Sequence, residues 1–411
     1  MVNYDYLYDL NAFAEDVNVD HFTNKVLSYQ VVENGYILPF KNIEGKFGGG
    51  VVNSNKEYLQ ETSLHCGRGC GYEFDDESVR KSDETVVYLG AFHKIWGHCI
   101  TDNIRRMWFL VSDYFRQFRE CKIIYVPLAD FSMGANFLEL LSIIGIDGDS
   151  FIALSEITRY SRIIIPDECF YSNEFGTRLY TREYIDIVDS VRSYATNHLK
   201  EDQRFRRIYF SHSKHSGINQ IGEKKLEKFF KLQGYTIIHP EEYTFKQQIN
   251  MLANCDFFAS TVGSCSHNIM FLPDGASVIL IPRANFFTGY QLAIDTLGEK
   301  NIYYVDSNLS IYVSNKMPWT GPYYFYVSQK LMDFFDISAE EQVNIWKKNL
   351  KDFKVYELIG TNKYSLSTRY LPAIYYQVLM ESLDTYHKSH RYSIIECKYN
   401  LVVGFVKSLF L

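Results

Sequence analysis

His93, His98, Asp102, Arg105 and Arg106 crowd one short stretch of this chain, Phe92 to Trp108. A carboxylate four residues after an imidazole meets it one helical turn away and can form an acid/base pair with it. Ile100, Ile104, Met107, Trp108 and Val111 recur at helical spacing and predict an apolar stripe. His98, Asp102 and Arg105 fall at i, i+4 and i+7, on the opposite, wet side. The run Glu84 to Gly90 just before reads as a strand. An acid/base pair and a cation therefore sit near a helix start, just past a strand end, where ligands bind in open α/β sheets.

Two further stretches carry donor groups. Ser260 to Asn268 (Ser-Thr-Val-Gly-Ser-Cys-Ser-His-Asn) follows an apolar strand and precedes Ile269-Met270-Phe271-Leu272. Small residues at such a turn let backbone N–H groups approach an anion, and a helix N-terminus favours phosphate. A Gly-Ser turn also occurs for packing alone. Arg206 to Lys214 places Ser211 and Lys214 just past another strand end. Hydroxyl and ammonium donors suit a diphosphate, and the same residues also read as a plain solvated loop.

The elements that must position these groups alternate short apolar runs with amphipathic segments, the pattern of parallel sheets with crossover helices. Thr85–Leu89, Lys122–Pro127 and Arg162–Pro166 read as strands, with a helix around Ala135–Ile144. A hairpin is expected over residues 26–40, turning at Asn34-Gly35. Residues 181–200 read as a polar helix, and Glu201-Asp202-Gln203-Arg204 marks a domain boundary. A second α/β unit follows, with strands Arg207–Phe210, Tyr235–His239, Asp256–Ser260, Ser277–Pro282 and Asn301–Val305. Its helices are Glu223–Leu232, Phe245–Ala253 and one opening near Ser266. The expected division is residues 1–200, 201–335 and a helical segment 336–411.

A chain of 411 residues can hold two domains with real cores. A net charge of −7 argues against general nucleic-acid binding. The start, Met1 to Phe13, shows no basic and apolar signal pattern, and no apolar run is long enough to span a bilayer. The eight cysteines are scattered, which suits a reducing compartment. His65-Cys66-Gly67-Arg68-Gly69-Cys70 could be half a metal site, but no second pair with ligand spacing follows, so no metal is expected. Leu401 to Leu411 is apolar with Lys407, and can lie on an anionic membrane or dock as a last helix.

Taken in order, the three stretches resemble glycosyltransferase family 61 over roughly residues 84–285. The first motif is met by His93, Gly97-His98, Asp102 and Arg106-Met107-Trp108. The second is met by the strand ending Ser211-His212, then Glu223, Gly234-Tyr235, Pro240-Glu241 and Gln248. The last is Gly263-Ser264-Cys265-Ser266-His267-Asn268 before Phe271-Leu272. His212 stands where the family usually has Arg, and Val262 where it often has His.

The resemblance implies an inverting, metal-independent transferase of GT-B type: two Rossmann-like domains with a cleft between them. No cofactor is implied beyond a nucleotide-sugar donor as substrate. The second domain would hold that donor through Ser211, Lys214 and the turn Gly263, Ser264, Cys265, Ser266, His267 and Asn268. The first would face a saccharide or polyprenyl-linked acceptor, with His93, Arg105 and Arg106 lining the cleft. Asp102 is the first choice of base, and His98 orients it or serves instead. The setting would be bacterial surface-polysaccharide assembly, in the cytoplasm or at the inner face of the plasma membrane. Each residue also has a plainer role: Asp102 as a first-turn charge, His98 as an interior histidine, Arg105 and Arg106 as surface charges, Glu223 as a helix-start charge, Asn268 as a loop brace. A wall-polymer phosphotransferase and a non-catalytic carbohydrate-binding protein are the competing readings.

Overall fold

Strand Arg80–Phe92 explains much of the first half: Val86 to Phe92 are buried in succession, as a strand covered on both faces must be. The computed structural model describes residues 1–7, 19–43, 46–64, 69–128, 131–214, 220–283, 287–309 and 323–345. Arg80–Phe92 lies at the centre of a 7-stranded sheet, between Thr158–Pro166 and Lys122–Pro127, with Phe151–Ala153 beyond the latter, all four parallel. Tyr29–Glu33, Tyr36–Ile43 and Lys46–Val52 are antiparallel additions on the other side. The first unit is therefore a parallel core with an antiparallel flank, not a plain Rossmann sheet.

The hairpin expected at Asn34-Gly35 does not form. Tyr29–Glu33 and Tyr36–Ile43 run in one direction along the same partner, Thr158–Pro166, and the pairing keeps its register from Tyr29↔Pro166 to Ile37↔Thr158. Asn34 N–H still bonds Ser161 O at 2.8 Å. The type I′ turn that an Asn-Gly pair signals needs positive φ at both positions. Asn34 has it, at 54°, and Gly35 does not. The hairpin present is the next one, Tyr36–Ile43 with Lys46–Val52.

The second sheet is 6-stranded and parallel, in the order Val2–Tyr6, Asn301–Val305, Ser277–Ile281, Phe257–Thr261, Arg207–Phe210, Thr236–Ile238. The order reverses between Arg207–Phe210 and Phe257–Thr261, so the crevice at their carboxyl ends is a topological switch point. Val2–Tyr6 moves the chain start out of the expected 1–200 unit and into this sheet. Helices Glu223–Leu232 and Phe245–Ala253 match the expected spans, the latter closed by a Thr244/Gln247 capping box.

The units share one apolar core. A single cluster joins Val87, Leu89 and Phe92 of the first sheet to Phe210, Phe258 and Leu280 of the second. Polar bonds reinforce the contact: Phe245 N–H donates to Asn136 Oδ1 at 3.0 Å, and Lys246 N–H to Glu139 Oε2 at 2.8 Å. Helix Gln329–Phe334 packs back on the second sheet, with Phe334 edge-on to Tyr6 at 4.9 Å. Most of the expected 336–411 segment, including the Leu401–Leu411 tail, lies outside the described residues. Among the described residues no helix is long and apolar enough to cross a membrane.

Candidate active site

Residues 96–111 were expected to form one amphipathic helix. They form a short helix Trp96–His98, a wider π-helical turn Cys99–Asn103, and a second short helix Trp108–Val111. A π turn shifts backbone carbonyls out of register and needs outside partners for them. Tyr184 O–H supplies one, donating to Ile100 O at 2.8 Å, and Thr101 Oγ1 donates to Gly97 O at 2.9 Å. Asn103 closes the segment on itself: its Oδ1 accepts His93 N–H at 2.8 Å and its Nδ2 donates to His93 O at 3.0 Å. That clamp stacks His93 on His98 with ring centroids 4.6 Å apart.

The side expected to be wet is largely buried. Asp102 is 2%, Arg105 3% and Arg106 1% exposed, so none is a surface charge. The stripe itself is as expected except Val111, which is 53% exposed. For Asp102 the cause is the second unit, whose turn and helix Gly289–Asp295 pack onto this face, while Arg105 and Arg106 are enclosed against Glu168, Pro166 and Glu61 of the first unit. Trp96 Nε1 donates to Asn268 Oδ1 at 3.0 Å. A Cβ on Gly97 would stand 3.0 Å from both His267 Nδ1 and Ser264 Oγ, which is why a glycine precedes His98.

His98 and Asp102 form the expected pair, Nδ1 to Oδ2 at 2.5 Å. Tyr290 O–H also donates to Asp102, at 2.8 Å to Oδ1 and 3.0 Å to Oδ2. Arg178 donates to Tyr290 Oη at 2.7 Å and lies over its ring, 3.9 Å from the centroid. The His98 side chain is 25% exposed against 3% for Asp102. Within the pair His98 is therefore the more reachable group and Asp102 the enclosed one.

Arg105 and Arg106 turn toward Glu168, both on Oε1, at 3.2 and 2.8 Å. Arg106 also donates to Glu61 O at 2.6 Å and to Pro166 O. Glu168 lies just past Thr158–Pro166, so this cluster and the His98 pair mark the carboxyl ends of two neighbouring central strands.

Across from them, Ser211 to Lys214 and Gly263 to Asn268 lie together at the switch point of the second sheet. Ser211 Oγ donates to Glu227 Oε1 at 2.7 Å, Ser213 Oγ donates to the same oxygen, and Lys214 Nζ to Glu242 at 2.7 Å. The expected diphosphate donors are thus already engaged by carboxylates of the chain. Ser264 and Cys265 N–H groups meet no acceptor among the described residues. Asn268 Nδ2 braces the loop, bonding Cys265 O at 3.0 Å, so its plainer role is the observed one. Ser266 Oγ accepts Gly263 N–H at 2.9 Å and donates to Gln291.

Arg283 was not foreseen. Its Nη2 lies 3.1 Å from His212 Nε2. It presses on Gly263, where a Cβ would come 2.4 Å from Nη1 and φ is +148°, so only glycine fits. Burial, followed by His98 nearby, pulls His267 down to about 3, so that imidazole is neutral. Burial also pushes Cys265 up, which keeps its thiol protonated. Glu223 is not a helix-start surface charge: it is 1% exposed, accepts Tyr209 O–H at 2.7 Å, and is pushed by burial to about 7.

The sequence reading also missed Arg178, Glu168, Glu227 and Tyr290. Only Tyr290 left a signal, because Thr288-x-x-Gln291 is a helix-start pattern, and Thr288 Oγ1 does accept Gln291 N–H. No curated protein matches the chain. Residues 96–279 match the family model described as Glycosyltransferase 61. The stretch that brings the His98–Asp102 pair against the Gly263–Asn268 turn therefore lies within the part of the chain that is similar to glycosyltransferase family 61.

Proposed function

We propose that the protein is an inverting, metal-independent glycosyltransferase of GT-B type, moving a sugar from a nucleotide-sugar donor to a saccharide acceptor. The observation that carries this reading is the 2.5 Å His98–Asp102 bond set against the Gly263–Asn268 turn, at the carboxyl ends of both sheets. His98 Nε2 takes the proton from the acceptor hydroxyl as its oxygen bonds to the anomeric carbon. The bond from that carbon to the diphosphate breaks, and the diphosphate leaves with the electron pair on the opposite face. Arg283 and the N–H groups of Ser264 and Cys265 stabilise the leaving charge. Ser211 and Lys214 join them once a diphosphate competes with Glu227 and Glu242. The chain's own cations fill the role a metal would otherwise take.

Placement in bacterial surface-polysaccharide assembly, with a polyprenyl-linked acceptor at the inner face of the plasma membrane, rests on the family resemblance and on the apolar sequence Leu401–Leu411. The test is a thermal-shift screen of nucleoside diphosphates and nucleotide sugars with and without EDTA, followed by product analysis of the stabilising donor. Stabilisation that survives EDTA, and a product of inverted anomeric configuration, support the reading. A shift lost in EDTA refutes metal independence. Transfer of phosphorus to the acceptor marks a phosphotransferase, and saccharide binding without any nucleotide response marks a carbohydrate-binding protein.

A further inference from the structure

A cavity of about 590 Å³ opens beside the His98 site, walled by Arg105, Arg106, Glu168 and Arg178, with Lys25 and Tyr171 toward its mouth. Its floor is electrostatically unusual. Two guanidinium groups, both nearly fully buried, share one carboxylate oxygen, Glu168 Oε1. Buried charges are ordinarily matched one for one, because an unmatched one loses its hydration with no return. Among the described residues, Arg105 Nε, Arg106 Nε and the Tyr88 hydroxyl are buried without hydrogen-bond partners, and Tyr88 senses the Arg106 and Arg105 charges. Burial works against the Arg105 charge, but Glu168 and then Asp102 outweigh it and raise Arg105 above its ordinary value. Asp102 does not settle the balance, since its oxygens already serve His98 and Tyr290. At the mouth, Lys25 offsets Asp167 at 3.9 Å, while Glu61 and Glu174 are exposed and turn away highly charged anions.

We propose that this cavity is the acceptor subsite and takes a saccharide bearing one acidic group, a carboxylate or a phosphate, which docks on the Arg105–Arg106 floor. The assignment rests on the transferase reading for the word acceptor. Arg178 of the cavity wall donates to Tyr290 Oη, and Tyr290 donates to Asp102, so the wall adjoins the His98–Asp102 pair. In this proposal an acidic sugar anchored there turns a neighbouring hydroxyl toward the side of that pair. Charge-assisted, forked contacts to Arg are the strong kind, which sets the preference for an acidic over a neutral sugar at roughly tenfold or more.

The test is saturation-transfer NMR on the full chain with methyl β-glucuronide, glucose 6-phosphate and methyl β-glucoside. At least one acidic probe is expected to bind roughly ten times more tightly than the glucoside, and to weaken as salt rises. Which acidic probe binds distinguishes carboxylate from phosphate. Arg105→Gln is expected to abolish the preference. Lys25→Gln, at an exposed mouth position that folding tolerates, is expected to reduce it about threefold. A glucoside that binds as well as both acidic probes overturns the proposal, as does a preference unchanged in Lys25→Gln and in folded Arg105→Gln. Nucleotide-sugar hydrolysis in the same preparation separates the two ideas. Hydrolysis without acidic preference refutes the subsite alone, and acidic preference without turnover on any donor refutes the transferase reading while leaving the anion site in place.

Discussion

Replacing Asp102 by Asn tests the central claim that Asp102 orients and His98 reacts. Asp102 accepts from His98 Nδ1 at 2.5 Å and from Tyr290 O–H at 2.8 and 3.0 Å. An asparagine can keep its oxygen on Tyr290 only by turning its NH2 toward His98. Nδ1 must then accept, and the imidazole proton moves to Nε2, the atom that has to be bare to act as base. The shape of the site barely changes, but the base is lost. A positioned general base contributes roughly 10²–10⁴ in rate, or about 3–5 kcal/mol of barrier. The assay is kcat for sugar transfer by product chromatography, alongside donor affinity by calorimetry. The expected result is a fall in kcat within that range at unchanged donor affinity, matched by His98→Ala. If Asp102→Asn keeps more than a third of wild-type kcat while His98→Ala is inactive, Asp102 does not set the tautomer. If His98→Ala is active and Asp102→Asn is not, the carboxylate is the base and the assignment argued here is wrong.

Tyr290→Phe removes one donor to Asp102 and leaves the His98 bond. A hydrogen bond to a charged group is worth about 1.5–3 kcal/mol, so kcat should fall roughly tenfold or more with little change in KM. An unaltered kcat would make Tyr290 a packing residue. Gly263→Ala forces a Cβ to within 2.4 Å of Arg283, at a φ of +148°. Thermal shift should show a lower Tm and loss of stabilisation by nucleoside diphosphates, and undiminished stabilisation would remove this turn from the donor site. Glu223, raised by burial from 4.5 to about 7, keeps a proton that the unfolded chain releases, so its contribution to stability is full below about pH 4.5 and lost as pH rises through 7. Glu223→Gln should remove about 3 kcal/mol of that fall in urea titrations. Asp295, also raised to about 7 by burial, keeps a similar slope of its own, so a variant as steep as the wild type would show that Glu223 titrates normally.

What the chain made legible was whatever is decided locally. Buried parallel strands are continuous apolar runs, and Lys122–Pro127, Arg207–Phe210 and Asn301–Val305 have the expected ends. Amphipathic helices with clear starts, such as Glu223–Leu232, were equally plain. Asn34-Gly35 shows where local reading stops. The dipeptide signals a positive φ, and Asn34 takes one, but whether the chain reverses depends on the uninterrupted partner Thr158–Pro166, more than a hundred residues away. Val2–Tyr6 is the extreme case, because among the described residues its only sheet partner is Asn301–Val305. The π turn at Cys99–Asn103 was hidden for a different reason. The apolar stripe fits a regular helix, and the bonds that accompany the π turn, Asn103 to the His93 backbone and Tyr184 to Ile100 O, leave no mark in that stripe.

The candidate site divides along the same line. The spacing of His98 and Asp102 was enough to pair them, since i and i+4 side chains meet in either kind of turn. It could not rank them, because rank depends on burial, and burial comes from the other unit. His267 and Tyr290 follow the second sheet's strands and pack onto this face, where Tyr290 donates to Asp102 and Asp102 is 2% exposed. A carboxylate that accepts two or three hydrogen bonds in a closed pocket is a poor proton acceptor, because those bonds favour its charged form. The imidazole it holds is the more exposed of the two, 25% against 3% of the side chain. On the proposed assignment the base is a property of both units together, and anything that parts the Gly289–Asp295 helix from the Cys99–Asn103 turn should weaken catalysis before it weakens donor binding.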